Sequence, residues 1–251
     1  MITMEKAKKL NLRGSDTFCN NHIYYINFEH QIWFAIKLNY EAYKILKDSI
    51  LIEHCEELYK DCTLNNRDNR EDTPLYVKYI NNFLLDNVKI ALAMELHLKA
   101  RLIEKGYIIH YINAKYNSNL KALKKKQEKE PISIAEFFNI EQYMYDEVNE
   151  YNVLTGLKET SLEFSHILKN KSYVEKLNIS DRDIPIIDDI RRVRNTIHLP
   201  GDFPSLSYID GDKNERLFSF INENIVDNTN KRIKEKNLRF PELEKFNFKK
   251  A

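Results

Sequence analysis

Asp183-Ile184-Pro185-Ile186-Ile187-Asp188-Asp189-Ile190-Arg191-Arg192-Val193-Arg194-Asn195-Thr196-Ile197-His198-Leu199-Pro200-Gly201 is the stretch on which the reading of this chain turns. Asp183 suits a helix cap, and Pro185 suits the first turn, where a missing N–H costs nothing. Pro200-Gly201 stops the helix. Between them Ile186, Ile190, Val193 and Ile197 recur at three or four and form one apolar stripe. At about 100° of rotation per residue, Arg194 lies just beside that stripe. His198 falls on the same side one turn later, and Arg191 one turn before. Arg191, Arg194, Asn195 and His198 therefore form a polar flank along a buried face, and Arg192 points away from it.

Such a flank suits phosphate binding or phosphodiester cleavage. An arginine fork matches phosphate oxygens and keeps its charge. A histidine near its ordinary pKa moves protons at neutral pH. An asparagine can orient a hydroxyl or the imidazole. Each residue also has a purely structural reading. His198 at a helix C-terminus interacts favourably with the dipole. The arginines can pair with Asp188 or Asp189, which stand three residues before Arg191 and Arg192, and exposed pairs of this kind contribute little.

Outward from this helix the composition speaks for the same class. The chain of 251 residues holds only 5 Gly and 6 Pro, so long uninterrupted helices are expected and a turn-rich β-sandwich is not. Apolar residues make up 43%, enough for a core, and 15 Tyr make tyrosine the main bulky residue on half-buried faces. The formal charge is only +1, so attraction to nucleic acid must come from a local patch. Cys19, Cys55 and Cys62 lack CxxC spacing and read as reduced thiols, without a disulfide frame. No run of 18 apolar residues occurs, and Met1-Ile2-Thr3-Met4-Glu5-Lys6 lacks the core of a signal peptide, so no membrane partner and a cytoplasmic location are expected. The histidines show no metal-ligand spacing and there is no P-loop, GxGxxG or GxSxG; no metal and no cofactor are expected.

Residues 1–27 read as an irregular arm. From Phe28 to Cys62, Ile32, Ile36, Tyr40, Tyr43, Leu46 and Ile50 give an amphipathic helix with a break near Asp48. Asn65 to Asp72 is a polar linker. Thr73-Pro74 opens the longest helix, whose period runs through Val77, Ile80, Phe83 or Leu84, Val88, Ala91 or Leu92, Leu98 and Leu102 to a stop at Gly106. Glu95 interrupts its apolar face with Lys99 one turn on, an i,i+4 pair at the edge of the core. Lys121, Lys124, Lys125, Lys126 and Lys129 form a basic run that reads either as a solvated face or loop or as a phosphate-contacting rim. Two helices parted near Gly156 follow over Ile134–Leu168, then a short connection or helical turn over Tyr173–Ile179. A last helix runs over Asn214–Lys236, before a charged, frayed terminus.

Arg194-Asn195-Thr196-Ile197-His198 near the end of a late helix resembles the signature of HEPN domains, an arginine often followed by a polar residue, with a histidine a few positions on. Ala91 to Gly106, with Glu95-x-x-x-Lys99 and a terminal glycine, resembles the family's first core helix. The likeness covers Thr73 to Lys236. It implies a helical bundle that dimerises and brings two copies of the motif into one cleft. Active members are metal-independent ribonucleases of toxin–antitoxin and antiviral systems. By this likeness Arg194 holds the scissile phosphate, His198 is general base or acid for attack by the ribose 2′-hydroxyl, and Asn195 orients one of them. Arg191, Arg192, Lys124 and Lys125 would bind the RNA, and an antitoxin or other defence-system protein would be the partner. The family usually has four to six residues between arginine and histidine, whereas Arg194 and His198 have three. Arg192 has five, but Val193 follows it. Either the motif is compressed, or the helix loosens before Pro200, or the site is degenerate.

The expectation is an all-α protein. A HEPN-like bundle over 73–251 is built from helices at 74–105, 133–170 and 184–199, and a helical region over 1–72 packs on it. Three functions fit: a HEPN-type endoribonuclease; a catalytically inactive HEPN module binding RNA, nucleotide or a partner protein; and a structural scaffold in which the arginines are locked in surface pairs.

Overall fold

The computed structural model describes residues 31–49, 73–115, 118–139, 156–196 and 211–246. The expectations for residues 1–27, 50–62 and 65–72 fall outside them, as do those for Ile197 and His198. Helix makes up 68% of the described residues, so the class is mostly α. The helices are α1 (Gln31–Lys47), α2 (Thr73–Glu104), α3 (Leu120–Gln127), α4 (Ile134–Asn139), α5 (Phe164–Lys169), α6 (Lys171–Leu177), α7 (Ile184–Thr196), α8 (Gly211–Ile221) and α9 (Asn228–Glu235), with a π-helical segment at Asn222–Asp227 joining the last two. No helix among the described residues is long and apolar enough to cross a membrane.

The chain divides into two compact units, residues 1–38 with 98–179 and residues 39–97 with 180–251. In the first, the end of α2 supplies Leu98, Leu102 and Ile103 to a core that also holds Ile108, Phe137 and Tyr173. Helix α2 stops as its sequence dictates. Gly106 adopts φ +79°, its N–H bonds the Ile103 carbonyl, and the Tyr107 N–H reaches back to Leu102, the Schellman pattern that favours glycine. The same pair of bonds ends α6 at Asn178 and α9 at Asn237, both with positive φ. Asparagine is the second residue type that tolerates this conformation.

The first unit also departs from the sequence reading. A strand β1 (His110–Ile112) pairs antiparallel with β2 (Leu157–Ser161), placing His110 opposite Ser161 and Ile112 opposite Leu157 across an irregularity. The two helices expected over Ile134–Leu168 are corrected to α4, β2 and α5 among the described residues. Lys158 and Glu159 favour helix locally, but pairing with β1 overrides a weak propensity. Gly156 opens β2 because nothing larger fits. A Cβ there would lie 3.0 Å from both Leu120 Cδ1 and Phe137 Cζ. Of the short connection or helical turn expected over Tyr173–Ile179 the helical alternative holds, as α6, capped by the Asn170 side chain accepting from the Ser172 N–H.

In the second unit, α1 from Asn39 to its end at Lys47, α2 up to His97, α7 and the α8–α9 rod share a core. It includes Leu46, Met94, Ile187, Ile190, Phe218 and Ile225. His97 is buried within it, donating from Nδ1 to Asn39 Oδ1 at 2.9 Å and meeting Phe220 edge-on. The apolar face of α2 is not the expected one throughout. Of the expected alternatives Ala91 and Leu92, Ala91 is buried and Leu92 exposed, and Met94, outside the expected pattern, is buried as well.

The stretch after Lys236 was expected to fray, and its described part, up to residue 246, is held instead. Residues 238–246 have no regular secondary structure, and Leu243 is buried. Asn230 accepts from the Leu243 N–H and donates to its carbonyl, each at 2.8 Å. Asn222 does the same for Phe246, at 2.8 and 2.9 Å. Two side-chain amides thus satisfy backbone groups that no sheet partner reaches.

Candidate functional site

The helix that carries the motif starts with its capping at Ser180. Ser180 Oγ accepts from the Asp183 N–H and donates to the Asp183 carboxylate, and the Ser180 carbonyl accepts the first helical N–H groups. The serine hydroxyl thus both receives the Asp183 N–H and holds the Asp183 carboxylate. Asp183 was expected to cap the helix. Its carboxylate is engaged by Ser180 and by Arg216 Nε, at 2.7 Å each. The hydrogen bond to Asp183 raises the Arg216 pKa. The helix is thereby anchored to α8 at its start.

From this anchor α7 buries Ile187, Ile190 and Val193, while Ile186 is only half-buried. The stripe is thus shifted by one residue at its start from the expected Ile186. That rotation draws Arg191 inward, to 8% exposure. A buried guanidinium requires a counter-charge, and Asp188 provides it. Arg191 Nε donates to Asp188 Oδ1 and Arg192 Nε to Asp188 Oδ2, both at 2.7 Å. Burial pushes the Asp188 carboxyl up, but hydrogen bonds and charge from Arg191 and then Arg192 outweigh it, so the group lies below the ordinary carboxylate range. Arg192, expected to point away from the flank, shares one carboxylate with Arg191. Its side chain is still mostly exposed, at 68%.

Arg194 is half-exposed and donates from its guanidinium to Glu95 Oε2 at 2.7 Å. Glu95 is the residue that interrupts the apolar face of α2, one turn before Lys99. Lys99 donates to Ser161 Oγ at 2.8 Å. Arg191 and Arg192 thus meet at Asp188 and Arg194 at Glu95, with Asn195 exposed next to Arg194, and His198 lies outside the described residues. Lys124 and Lys125 are exposed on α3, in the first unit. Among the described residues no group of three or more His, Cys, Asp or Glu is arranged to hold a metal ion.

Chemically, this end of α7 offers one guanidinium held at a single site by a carboxylate, with a neutral amide beside it. A phosphate can take such an arginine only by exchanging with the carboxylate, which keeps the arginine extended in the meantime. The sequence did signal Glu95, as a charge on an apolar stripe, but not its partner, because proximity across 99 residues is a tertiary fact. Tyr111, Gln127 and His166, which line a cleft in the first unit with Lys124, were not singled out at all. Comparison of the chain with family models, curated proteins and solved structures found no match.

Proposed function

We propose that the chain is a HEPN-like, metal-independent endoribonuclease of a toxin or antiviral defence system, working in the cytoplasm as a homodimer with a composite site. One observation supports this most. Glu95 and Arg194, marked separately in the two segments that carry the resemblance, meet at 2.7 Å. In this reading the scissile phosphate displaces Glu95 from Arg194, which then stabilises the developing charge. His198 takes the proton of the ribose 2′-hydroxyl as its oxygen attacks phosphorus, and the 5′-oxygen leaves with a proton. The products are a 2′,3′-cyclic phosphate and a free 5′-hydroxyl. Asn195 orients His198 or the attacking hydroxyl. An antitoxin or another defence-system protein would restrain the activity.

A second reading is a catalytically inactive HEPN module that binds RNA, nucleotide or a partner protein. Its support is that Arg191, Arg192 and Arg194 are each already held by a carboxylate. Incubation of the purified chain with total RNA in EDTA separates the two. Cleavage that survives chelation and is lost in both Arg194→Ala and His198→Ala supports the ribonuclease. An intact RNA pool with the parent chain supports the inactive module.

A further inference from the structure

We infer that the cleft formed by β1, β2, α3 and α5 in the first unit binds a nucleoside monophosphate unit, with Tyr111 against the base and lysines on the phosphate. The inference is independent of the α7 motif, which belongs to the other unit. Two hollows of about 530 and about 240 Å³ share Tyr111, Glu128 and His166 on their walls. The smaller is the more enclosed, and the larger opens widely to solvent.

The charge of the walls is one-sided. Lys124 and Lys158 line the smaller hollow, and Lys129, Lys169 and Lys171 the larger. Glu128 and Glu163 are the acids beside them. The paired lysine of the basic run is Lys126, which is held by Glu130 and Glu136 and lines neither hollow. Lys171 pairs with Glu175, an exposed contact of 3.7 Å that contributes little. Lys124, Lys129, Lys158 and Lys169 form no ion pair among the described residues. Ammonium groups without a carboxylate, ringed around a hollow, suit a phosphate dianion.

The remaining polar groups are fixed in place. Gln127 is buried, and its carbonyl accepts from Tyr173 Oη at 3.0 Å and from His166 Nε2 at 3.2 Å. A carbonyl can only accept, so Nε2 of His166 carries a proton and Nδ1 is the ring's remaining polar edge. Tyr111 and Tyr173 flank the imidazole edge-on at 5.7 and 5.1 Å. Tyr111 Oη accepts from the Glu163 N–H, which leaves its own hydroxyl proton for a ligand oxygen. Lys158 Nζ stands 5.9 Å from the Tyr111 ring centroid. It stands over the ring, so one aromatic face carries the cation and the base would take the other.

The unit can be a free nucleotide or part of a single-stranded RNA, and a titration distinguishes them. The full chain is titrated with adenosine 5′-monophosphate, with ribose 5-phosphate and with an uncleavable 2′-O-methyl hexanucleotide, each also in the Arg194→Ala background. The monophosphate should bind in both backgrounds, shifting the His166 and Tyr111 ring resonances. Lys158→Ala and Lys124→Ala should each weaken it by about tenfold, the loss of one charge-assisted contact. Tyr111→Leu should remove its advantage over ribose 5-phosphate, and Tyr111→Phe should keep it. Hexanucleotide binding tighter than the monophosphate assigns the site to an RNA strand, and equal affinity assigns it to free nucleotide. The inference is overturned by any of three results: no binding by the parent, unchanged affinity in the Lys124→Ala/Lys158→Ala double variant, or displacement by hexaglutamate as effective as by the monophosphate. Lys124 and Lys158 are exposed, so this double variant keeps the test open if Tyr111→Leu fails to fold.

Discussion

The Glu95 carboxylate receives a hydrogen bond from the Arg194 guanidinium at 2.7 Å, tying α2 to α7 across 99 residues of chain. Whatever anion Arg194 serves must compete with it. Glu95→Gln keeps the shape and removes the charge, so binding of an uncleavable RNA should tighten several-fold, and Arg194→Ala should abolish the gain. The same pair gives a stability test. A denaturant double-mutant cycle on Glu95→Ala and Arg194→Ala should show a coupling of about 0.5–1.5 kcal/mol, the range for a half-exposed charge-assisted bond. Strict additivity of the two variants would show that the contact does not hold the helices together.

Asp188 makes stability depend on acid. Its folded-state carboxyl lies below the ordinary value because Arg191 and Arg192 both favour the charged form over the cost of burial. A lowered carboxylate stabilises the fold above its unfolded pKa of about 3.9 and loses that contribution as pH falls through the folded value. Asp188→Asn should therefore be less stable than the parent at neutral pH, by about 1–3 kcal/mol because the buried Arg191 loses its counter-charge. The two curves should start to converge near about pH 4 and meet once pH has fallen through the folded value. Urea midpoints measured across this range check the sign. A gap that persists at low pH would assign the effect to lost packing.

The sequence exposed what is local and hid what is long-range. Thr73-Pro74 and Gly106 bracket α2 because caps and breakers act within one turn. Pro185 does the same for the start of α7. A break near Asp48 fits the end of α1 at Lys47. The stripe on α7 came out shifted at its start, with Ile187 buried in place of Ile186, because helix rotation is chosen by the surface it meets. Strand β2 was missed since Leu157-Lys158-Glu159-Thr160-Ser161 has too few residues to show a period, and only β1 across from it makes it a strand. The motif arginines were found, and so was the Asp188 partner of Arg191, but not the Glu95 partner of Arg194. Asp188 was one of two acids at suitable spacing, and Glu95 is remote in sequence.

The terminal segment gives a prediction that the sequence opposed. Asn222 and Asn230 each exchange two hydrogen bonds with one residue of this segment, and Tyr43 Oη accepts from the Glu244 N–H. Removing either amide leaves a backbone N–H and carbonyl to water, at a cost of about 1–2 kcal/mol. Asn222→Ala and Asn230→Ala should each raise the rate of trypsin cleavage at the exposed Arg239 by roughly tenfold. Far-ultraviolet circular dichroism should stay unchanged, since the helices do not depend on the strap. Cleavage at the parent rate in the double variant would mean that Leu243 and the aromatic contacts alone hold the segment.

Gln127 offers the sharpest test of the first unit. It is buried at the end of a lysine-rich helix, where an amide looks out of place, yet all of its polar groups have partners. Its Oε1 accepts from the Ile112 N–H and its Nε2 donates to the His110 carbonyl, both at 2.8 Å, so the side chain acts as a further strand partner for β1. Its carbonyl meanwhile positions His166 and Tyr173. Gln127→Leu matches the volume but strands one N–H and one carbonyl of β1. The expected loss is about 2–5 kcal/mol, more than a cavity-free swap otherwise costs. Gln127→Glu should also fail, because a carboxylate cannot donate to the His110 carbonyl. Thermal unfolding of both variants, with hydrogen exchange followed at Ile112, separates this account from simple packing. A leucine variant as stable as the parent would mean that water, not Gln127, satisfies the strand.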